Sequence, residues 1–277
     1  MKQQMNVLSI DLESWVHKYF LGDKSSVKKT QDNGYICDAT LDILKILENH
    51  AIKTTFFVVG EIFDWYPWLI KKIKSMGHEI GFHTYAHRRL LNKKSFLEEL
   101  TKGKHFIDEC DIKGFRAPEA IMKKEYLPIL KDWGFTYDSS IYSEFKIFEP
   151  VEGLLELPIS SYPLYKTNRS IQFPNNLTLS LLLREIPFGS GYFVGLLGPN
   201  IQWFIRRSNK KNIPVSLATH PWQIKEPPKV NGNLEGSLFN RVKMIPYNIN
   251  RRKTFDFLCH NYEFVPMIKL INAYRYK

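Results

Sequence analysis

The segment Ile80-Gly81-Phe82-His83-Thr84-Tyr85-Ala86-His87 places two histidines four residues apart, directly behind an apolar run. At the start of a helical turn, that spacing presents both imidazoles on one side. Two neutral imidazoles and one carboxylate make a site for zinc or a similar divalent ion, with Zn–N near ~2.0–2.1 Å and a fourth position for water. An isolated pair of this kind also fits two unrelated surface or core histidines. Carboxylates are available in Asp11-Leu12-Glu13. In an extended chain these two acids point to opposite sides, but at a strand end the turning chain lets both approach one pocket. One would bind the ion and the other take a proton from its water. Spacing alone does not choose between them. Arg116 and His220 complete the polar set, and His17, close to Trp15, is a further residue that would line it. His50, His78, His105 and His260 stand in or beside helices with no partner in sequence.

The elements that must position these groups alternate. A strand reads at Val7–Ile10, and Asp38 is the expected N-cap of a helix through Asn49, with Leu41, Leu44 and Leu47 at three-residue steps. Thr54–Val59 is a β-branched and aromatic strand, followed by a helix through Ile70 and Ile73 that Gly77 stops. His78–Phe82 is the next strand, and Ser95 with Glu98 forms a capping box for a helix to Glu109. Lys113–Phe115 and Phe135–Tyr137 are short strands around a helix at Lys124–Trp133. Such alternation argues for parallel strands with right-handed crossovers. After Pro150 the rhythm loosens, with a strand at Leu154–Leu157, a helix over Gln202–Arg207 and a strand at Val215–Thr219. The prolines at 221, 227 and 228 set off a tail with two helices around a strand at Glu263–Val265. Asp11, Glu13, His83, His87, Arg116 and His220 all follow strands, where parallel α/β proteins gather functional groups.

The chain has 277 residues, 44% hydrophobic, with 19 Phe, 14 Tyr and 6 Trp. That apolar content excludes a disordered chain, and no stretch approaches the ~18–20 apolar residues of a membrane span. The N-terminal apolar run breaks at Ser9 and Asp11, so no secretory signal is expected and the protein reads as cytoplasmic. Three cysteines without a Cys-x-x-Cys pair fit a reducing compartment. The net charge of +11 speaks for anionic partners, yet its basic residues are scattered and form no nucleic-acid tail.

Several motifs recur in a fixed order: Ser9-Ile10-Asp11-Leu12-Glu13-Ser14-Trp15, the Thr54-to-Val58 strand, His83 to His87, Phe115-Arg116-Ala117-Pro118, Tyr137-Asp138-Ser139-Ser140 and Thr219-His220-Pro221-Trp222. Together they resemble the polysaccharide deacetylase family, the NodB homology domain of carbohydrate esterase family 4. Pro187-Phe188-Gly189-Ser190-Gly191-Tyr192-Phe193 resembles the branch associated with bacterial exopolysaccharide loci. The resemblance implies an α/β fold, a distorted (β/α)7 barrel related to the TIM barrel. It spans residues 1–225, with a C-terminal helical appendage, residues 226–277, packed on the same domain.

The resemblance also assigns roles. Glu13, His83 and His87 would hold a divalent metal, zinc first and cobalt or nickel as alternatives, with Asp11 as general base; the reverse assignment of the two acids stays open. Arg116 would orient Asp11 through a bidentate guanidinium. His220 would be the general acid and Asp138 its partner. The implied reaction is hydrolysis of the N-acetyl group of an amino sugar in a bacterial polysaccharide or its precursor, releasing acetate. A backbone N–H after Pro118 would stabilise the oxyanion. Two departures stand out: Glu119 replaces the family's usual tyrosine, and the Asp138 motif lacks a tryptophan. Trp222 and Tyr192 are candidates for sugar stacking or for the core. Hydrolysis of another amide or a cyclic imide, or a non-catalytic glycan-binding role, are the alternative readings. The charge suits a phosphorylated or lipid-linked glycan at the inner face of an acidic membrane, with Arg88 and Arg89 nearest the site, and no nucleic acid.

Overall fold

In the computed structural model the described residues are 4–19, 22, 24–165, 171–228 and 245–275. Residues 1–3, 229–244 and 276–277 are among those that lie outside them.

The elements run β1 (Asn6–Leu12), α1 (Trp15–Tyr19), α2 (Ser25–Asp32), α3 (Tyr35–Asn49), β2 (Thr55–Val58), α4 (Gly60–Trp65), α5 (Pro67–Ser75) and β3 (Glu79–Phe82). Next come α6 (Lys93–Cys110), β4 (Gly114–Phe115), α7 (Leu127–Asp132), β5 (Tyr137–Asp138), β6 (Tyr142–Ser143), β7 (Phe148–Val151), β8 (Leu154–Glu156) and β9 (Ile159–Ser160). The chain continues through β10 (Tyr162–Pro163), α8 (Leu179–Leu182), β11 (Glu185–Ile186), α9 (Gly191–Leu197), α10 (Ile201–Asn209) and β12 (Ser216–Thr219). It closes with α11 (Ile245–Asn248), α12 (Arg252–Asn261), β13 (Phe264–Val265) and α13 (Met267–Arg275).

Among the described residues the main sheet has the order β12-β1-β2-β3-β4-β5-β8-β7, with β13 also paired to β1, and two short pairs, β6 with β9 and β10 with β11, stand apart from it. Within the main sheet every pairing is parallel except β7 with β8. Strands β1 and β2 are buried along their whole length, as near-continuous apolar runs in a helix-covered parallel sheet must be. The result is the α/β fold expected, a curled sheet in the manner of a distorted (β/α)7 barrel. The tail adds β13 to this sheet, flanked by α12 and α13, with one further short helix, α11.

The curl closes without a ladder. Gly189 N donates to Ser160 O at 2.8 Å and Ala218 N donates to Gly189 O at 2.7 Å, linking β9 to β12. A Cβ at Gly189 would lie 2.3 Å from Ser216 O, so only glycine permits this close backbone approach.

Two helix starts differ from expectation. Helix α3 begins at Tyr35 because Gly34, at φ 82°, turns the chain out of α2; Asp38 therefore falls in the first turn, where its charge still favours the helix N-terminus. Helix α6 is capped by Asn92, whose side chain accepts from Ser95 N at 2.9 Å while Ser95 Oγ accepts from Asn92 N at 3.2 Å. Ser95 is thus the returning half of the box, and Glu98 has no part in it.

Candidate active site and metal centre

Strand β1 delivers Asp11 and Glu13 together. The chain leaves the ladder after Leu12, and Glu13 N donates to Asp11 O at 2.9 Å, a tight turn that brings both carboxylates into one buried pocket. His83 and His87 follow β3, but no helical turn carries them. Thr84 and His87 adopt left-handed backbone, φ 61° and 57°, each costing about 1–3 kcal/mol in a residue with a side chain. The loop is pinned from both sides. Gly60 N and Glu61 N donate to Thr84 O and Tyr85 O, at 3.0 and 2.9 Å, and Ala86 N donates to the buried Glu99 Oε2 at 2.7 Å.

Donor atoms of Glu13, His83 and His87 all lie within 4.8 Å of one another. His87 Nε2 approaches Glu13 Oε2 at 2.8 Å, yet without hydrogen-bond alignment: Glu13 Oε2 and His87 Nδ1 are buried with no hydrogen-bond partner among the described residues. His83 Nδ1 meets Arg116 O at 2.8 Å, and with the proton on Nδ1 its Nε2 is free to ligate. Burial pulls the His83 imidazole down to about 4, which keeps it neutral, as a ligand must be. Burial pushes Glu13 up, but His87, His220 and His83 outweigh it and hold the carboxyl down at about 2. Burial likewise pulls His87 down, and Glu13 outweighs it, lifting that imidazole above its ordinary value. An ionised, buried carboxylate, two imidazoles and orphaned polar atoms fit a divalent cation.

Arg116 is 1% exposed and spans three strands. Its Nη1 donates to Asp11 Oδ1 at 2.6 Å and to Ser9 Oγ at 2.7 Å. Its Nε and Nη2 donate to Ser139 O and Ser139 Oγ, at 2.9 and 2.8 Å. The guanidinium lies 4.1 Å from the Phe57 ring centre. The expected bidentate grip on Asp11 is replaced by a single strong contact, because the other donors anchor the fork to β1 and the strand end after β5. Burial pushes the Asp11 carboxyl up, but Arg116 with His83 and His220 outweighs that and holds it below its ordinary value.

His220 Nε2 faces Glu13 Oε1 at 3.3 Å and Asp11 Oδ2 at 3.9 Å. Its Nδ1 meets Gln223 Oε1 at 3.3 Å, and Gln223 Nε2 donates to Gly191 O at 2.8 Å. Gln223 therefore stands where Asp138 was expected. Asp138 lies opposite Glu156 on the neighbouring strands β5 and β8, and accepts from Ser140 Oγ at 2.5 Å. Burial raises both acids, Asp138 up to about 6 and Glu156 well above the usual range; the Asp138 charge lifts Glu156 further, so one proton is held between them.

The remaining candidates separate. His17 is fully buried, accepts from Ser14 N at 3.0 Å and faces Glu61 at 3.2 Å, with its ring 6.4 Å from His87. Trp222 is buried and stacks on His220, so it is no exposed sugar platform. Tyr192 is half-buried, edge-on to Tyr247. Arg89 Nε pairs with Glu119 Oε1 at 2.8 Å on the surface, and Arg88 is exposed. His50, His105 and His78 meet Asp256, Asp64 and Thr54 N respectively.

Three neighbours escaped the sequence pattern. Gln223 follows His220 by one 3-10 turn, a spacing that was readable. Glu156 is the lone acid in Leu154-Leu155-Glu156-Leu157, which marks a buried polar group. Lys18 gave no signal. Its Nζ sits 5.8 Å from the centres of both the Trp222 and Tyr247 rings and donates to Asn248 Oδ1 at 3.2 Å.

Residues 22–137 match the family described as polysaccharide deacetylase. A peptidoglycan-N-acetylglucosamine deacetylase of Bacillus cereus is 36% identical over 102 residues, covering 34% of this chain and 37% of that protein. A peptidoglycan-N-acetylmuramic acid deacetylase of Bacillus subtilis is 37% identical over 87 residues, covering 30% and 33%. The crystal structure of a Mycobacterium smegmatis protein assigned as a polysaccharide deacetylase superposes with a TM-score of 0.65 at 17% identity, over 99% of this chain and 91% of that one, a likeness of fold.

Residues 22–137 are thus similar to the polysaccharide deacetylase family, and over the whole chain the likeness to a solved structure is one of fold.

The alignments span 37%, 47% and 33% of the length of the first curated relatives. The part of this chain that matches the family takes in His83, His87 and Arg116; Asp11 and Glu13 precede it, and Asp138 and His220 follow it. Geometry, rather than alignment, brings Asp11, Glu13 and His220 to the histidines.

Proposed function

We propose that the protein is a metal-dependent N-deacetylase acting on an acetylated amino sugar. The observation that carries the reading is the convergence, in one pocket, of the Glu13–His83–His87 cluster with the Arg116-held Asp11 and with His220. The names of the curated relatives, which speak of N-acetylglucosamine and N-acetylmuramic acid, support it.

Glu13, His83 and His87 would hold a divalent ion, which would supply a Lewis acid for the acetamide carbonyl and a water of lowered pKa. Asp11, kept ionised by Arg116, accepts the proton of the attacking water. The amide N–H of Glu119 meets the oxygen of the tetrahedral carbon; one such donor is worth ~2.7–4 kcal/mol. Nitrogen cannot leave as an anion, so His220 Nε2 delivers a proton to it while Gln223 Oε1 holds Nδ1. Acetate and a free amine result.

For substrate we favour an anionic acetylated glycan, phosphorylated or lipid-linked and met inside the cell, in keeping with the +11 charge. The test is metal content of the purified protein together with acetate release from N-acetylated sugars, for wild type and His83→Ala. Stoichiometric metal and acetate release, both lost in the variant, are expected. Metal without acetate release would point to another amide or a cyclic imide; no metal uptake after adding zinc or cobalt would overturn the catalytic reading.

A further inference from the structure

Between Leu157 and Ala218 the chain carries seven Lys and Arg residues and a single acid, Glu185. That acid accepts from Ser161 Oγ. The basic residues of α10 and its end, Arg206, Arg207, Lys210 and Lys211, are exposed. Beside them lies apolar surface. Leu179 and Leu183, at the two ends of α8, are 73% and 66% exposed, and Leu164 is 51% exposed. Leu164 N donates to Arg184 O at 2.9 Å, which extends the antiparallel β10–β11 pair toward the end of α8. On that pair Tyr162 packs edge-on to Trp203 of α10 at 5.6 Å, and Trp203 is 53% exposed. Arg207 lies 5.4 Å from the Trp203 ring centre and donates to Tyr162 Oη at 2.5 Å. Exposed leucines of α8 and β10's end are thus linked through Tyr162 to the exposed Trp203 and the basic residues of α10.

We propose that this face docks on the headgroup region of an anionic lipid bilayer. Leucines and half-exposed Trp and Tyr rings beside a basic rim are the composition of interfacial membrane surfaces, where apolar groups enter a few ångströms and Lys and Arg meet lipid phosphates. A second copy of the chain is disfavoured as occupant, because a two-fold contact would set this basic rim against itself. Docking needs neither a metal nor an acetylated substrate. It also has a geometric consequence: α9 starts at Gly191, against His220, and carries the exposed Leu196 toward α10, so the His220 flank of the pocket would lie near the lipid surface.

The full-length chain is sedimented with vesicles of phosphatidylcholine alone and of phosphatidylcholine with phosphatidylglycerol in equal parts, at low and high salt. Sedimentation with the anionic vesicles is expected, weak or none with the neutral ones, and falling with salt as screening grows. Leu179→Asp with Leu183→Asp weakens binding by about tenfold or more, and Arg206→Gln with Lys210→Gln does so by roughly tenfold. Both pairs are solvent-exposed, and unchanged thermal melting confirms that each variant folds. The proposal is overturned if wild type stays in solution with anionic vesicles, if either variant pair binds as wild type does, or if light scattering shows a dimer that Leu179→Asp with Leu183→Asp dissociates.

Discussion

Trp222 lies flat on His220, with ring centroids 4.6 Å apart and planes 16° from parallel. The indole holds one face of the imidazole, Tyr247 meets it edge-on at 5.6 Å, and Gln223 takes Nδ1. Removing the indole frees the ring to rotate away from Asp11 and Glu13. Trp222→Ala is expected to lower kcat about 10–100-fold, since small misplacements of a reacting group cost that much. Steady-state acetate release with metal analysis on the same sample checks this; a lost metal rather than a lost rate would contradict it.

Gly191 sets the other boundary. A Cβ there would lie 2.5 Å from both His220 Cε1 and Nδ1, and 3.2 Å from Gln223 Oε1. Gly191→Ala must therefore displace the imidazole, and a kcat loss of about tenfold or more is expected with the Glu13 cluster intact. A wild-type rate in this variant would show that His220 does not need its place.

The three-residue cluster predicts a stoichiometric divalent ion. Elemental analysis is expected to find it in wild type, below about a tenth of that in His83→Ala, and weakened by roughly 10–100-fold in affinity when a supporting partner such as Glu99 is changed to Gln. Chelation should abolish acetate release and zinc should restore it. Activity that survives exhaustive chelation would remove the cluster from the reaction.

Arg116 has no conservative replacement. Lysine cannot reach Asp11, Ser9 and Ser139 together. Arg116→Met leaves the Asp11 carboxylate buried and unpaired, at a cost of about 3–5 kcal/mol in unfolding free energy. Chemical denaturation measures it, and a loss under about 1 kcal/mol would mean that Asp11 has found another partner or a proton.

The Asp138–Glu156 pair should make the fold sensitive to alkali. Both pKa values are raised in the folded state, so the native protein retains a proton that the unfolded chain releases above about pH 4. Stability from this source is complete below that pH and falls as pH rises through about 6 and beyond. Glu156→Gln keeps the shape and removes the retained proton. Melting temperatures between neutral and alkaline pH should fall less steeply in the variant than in wild type; parallel curves would refute the shared proton.

Much of the scaffold was legible because parallel strands announce themselves. Thr55–Val58 and Ser216–Thr219 are buried throughout and read as β-branched or apolar runs, and the polar residues that follow them mark the pocket. Local caps were less legible. Asn92 displaced Ser95 as cap because either side chain can bond the first turn, and only the chain's entry angle decides. The His83–His87 loop was misread as helical because positive φ at Thr84 and His87 leaves no mark in composition. Asp138 beside His220 was a family expectation, and it failed because two neighbouring strands in register gave Asp138 a carboxylate, Glu156, as its partner. No local pattern could reveal Lys18, whose place depends on α11, more than two hundred residues away.

Gly189 makes the ring of strands a clasp. Elsewhere, parting two neighbours means unzipping a ladder; between β9 and β12 it means releasing two backbone hydrogen bonds through Gly189 and one from Ser216 N to Ser160 Oγ. Any opening along that seam would move β12, and with it His220, which follows that strand directly.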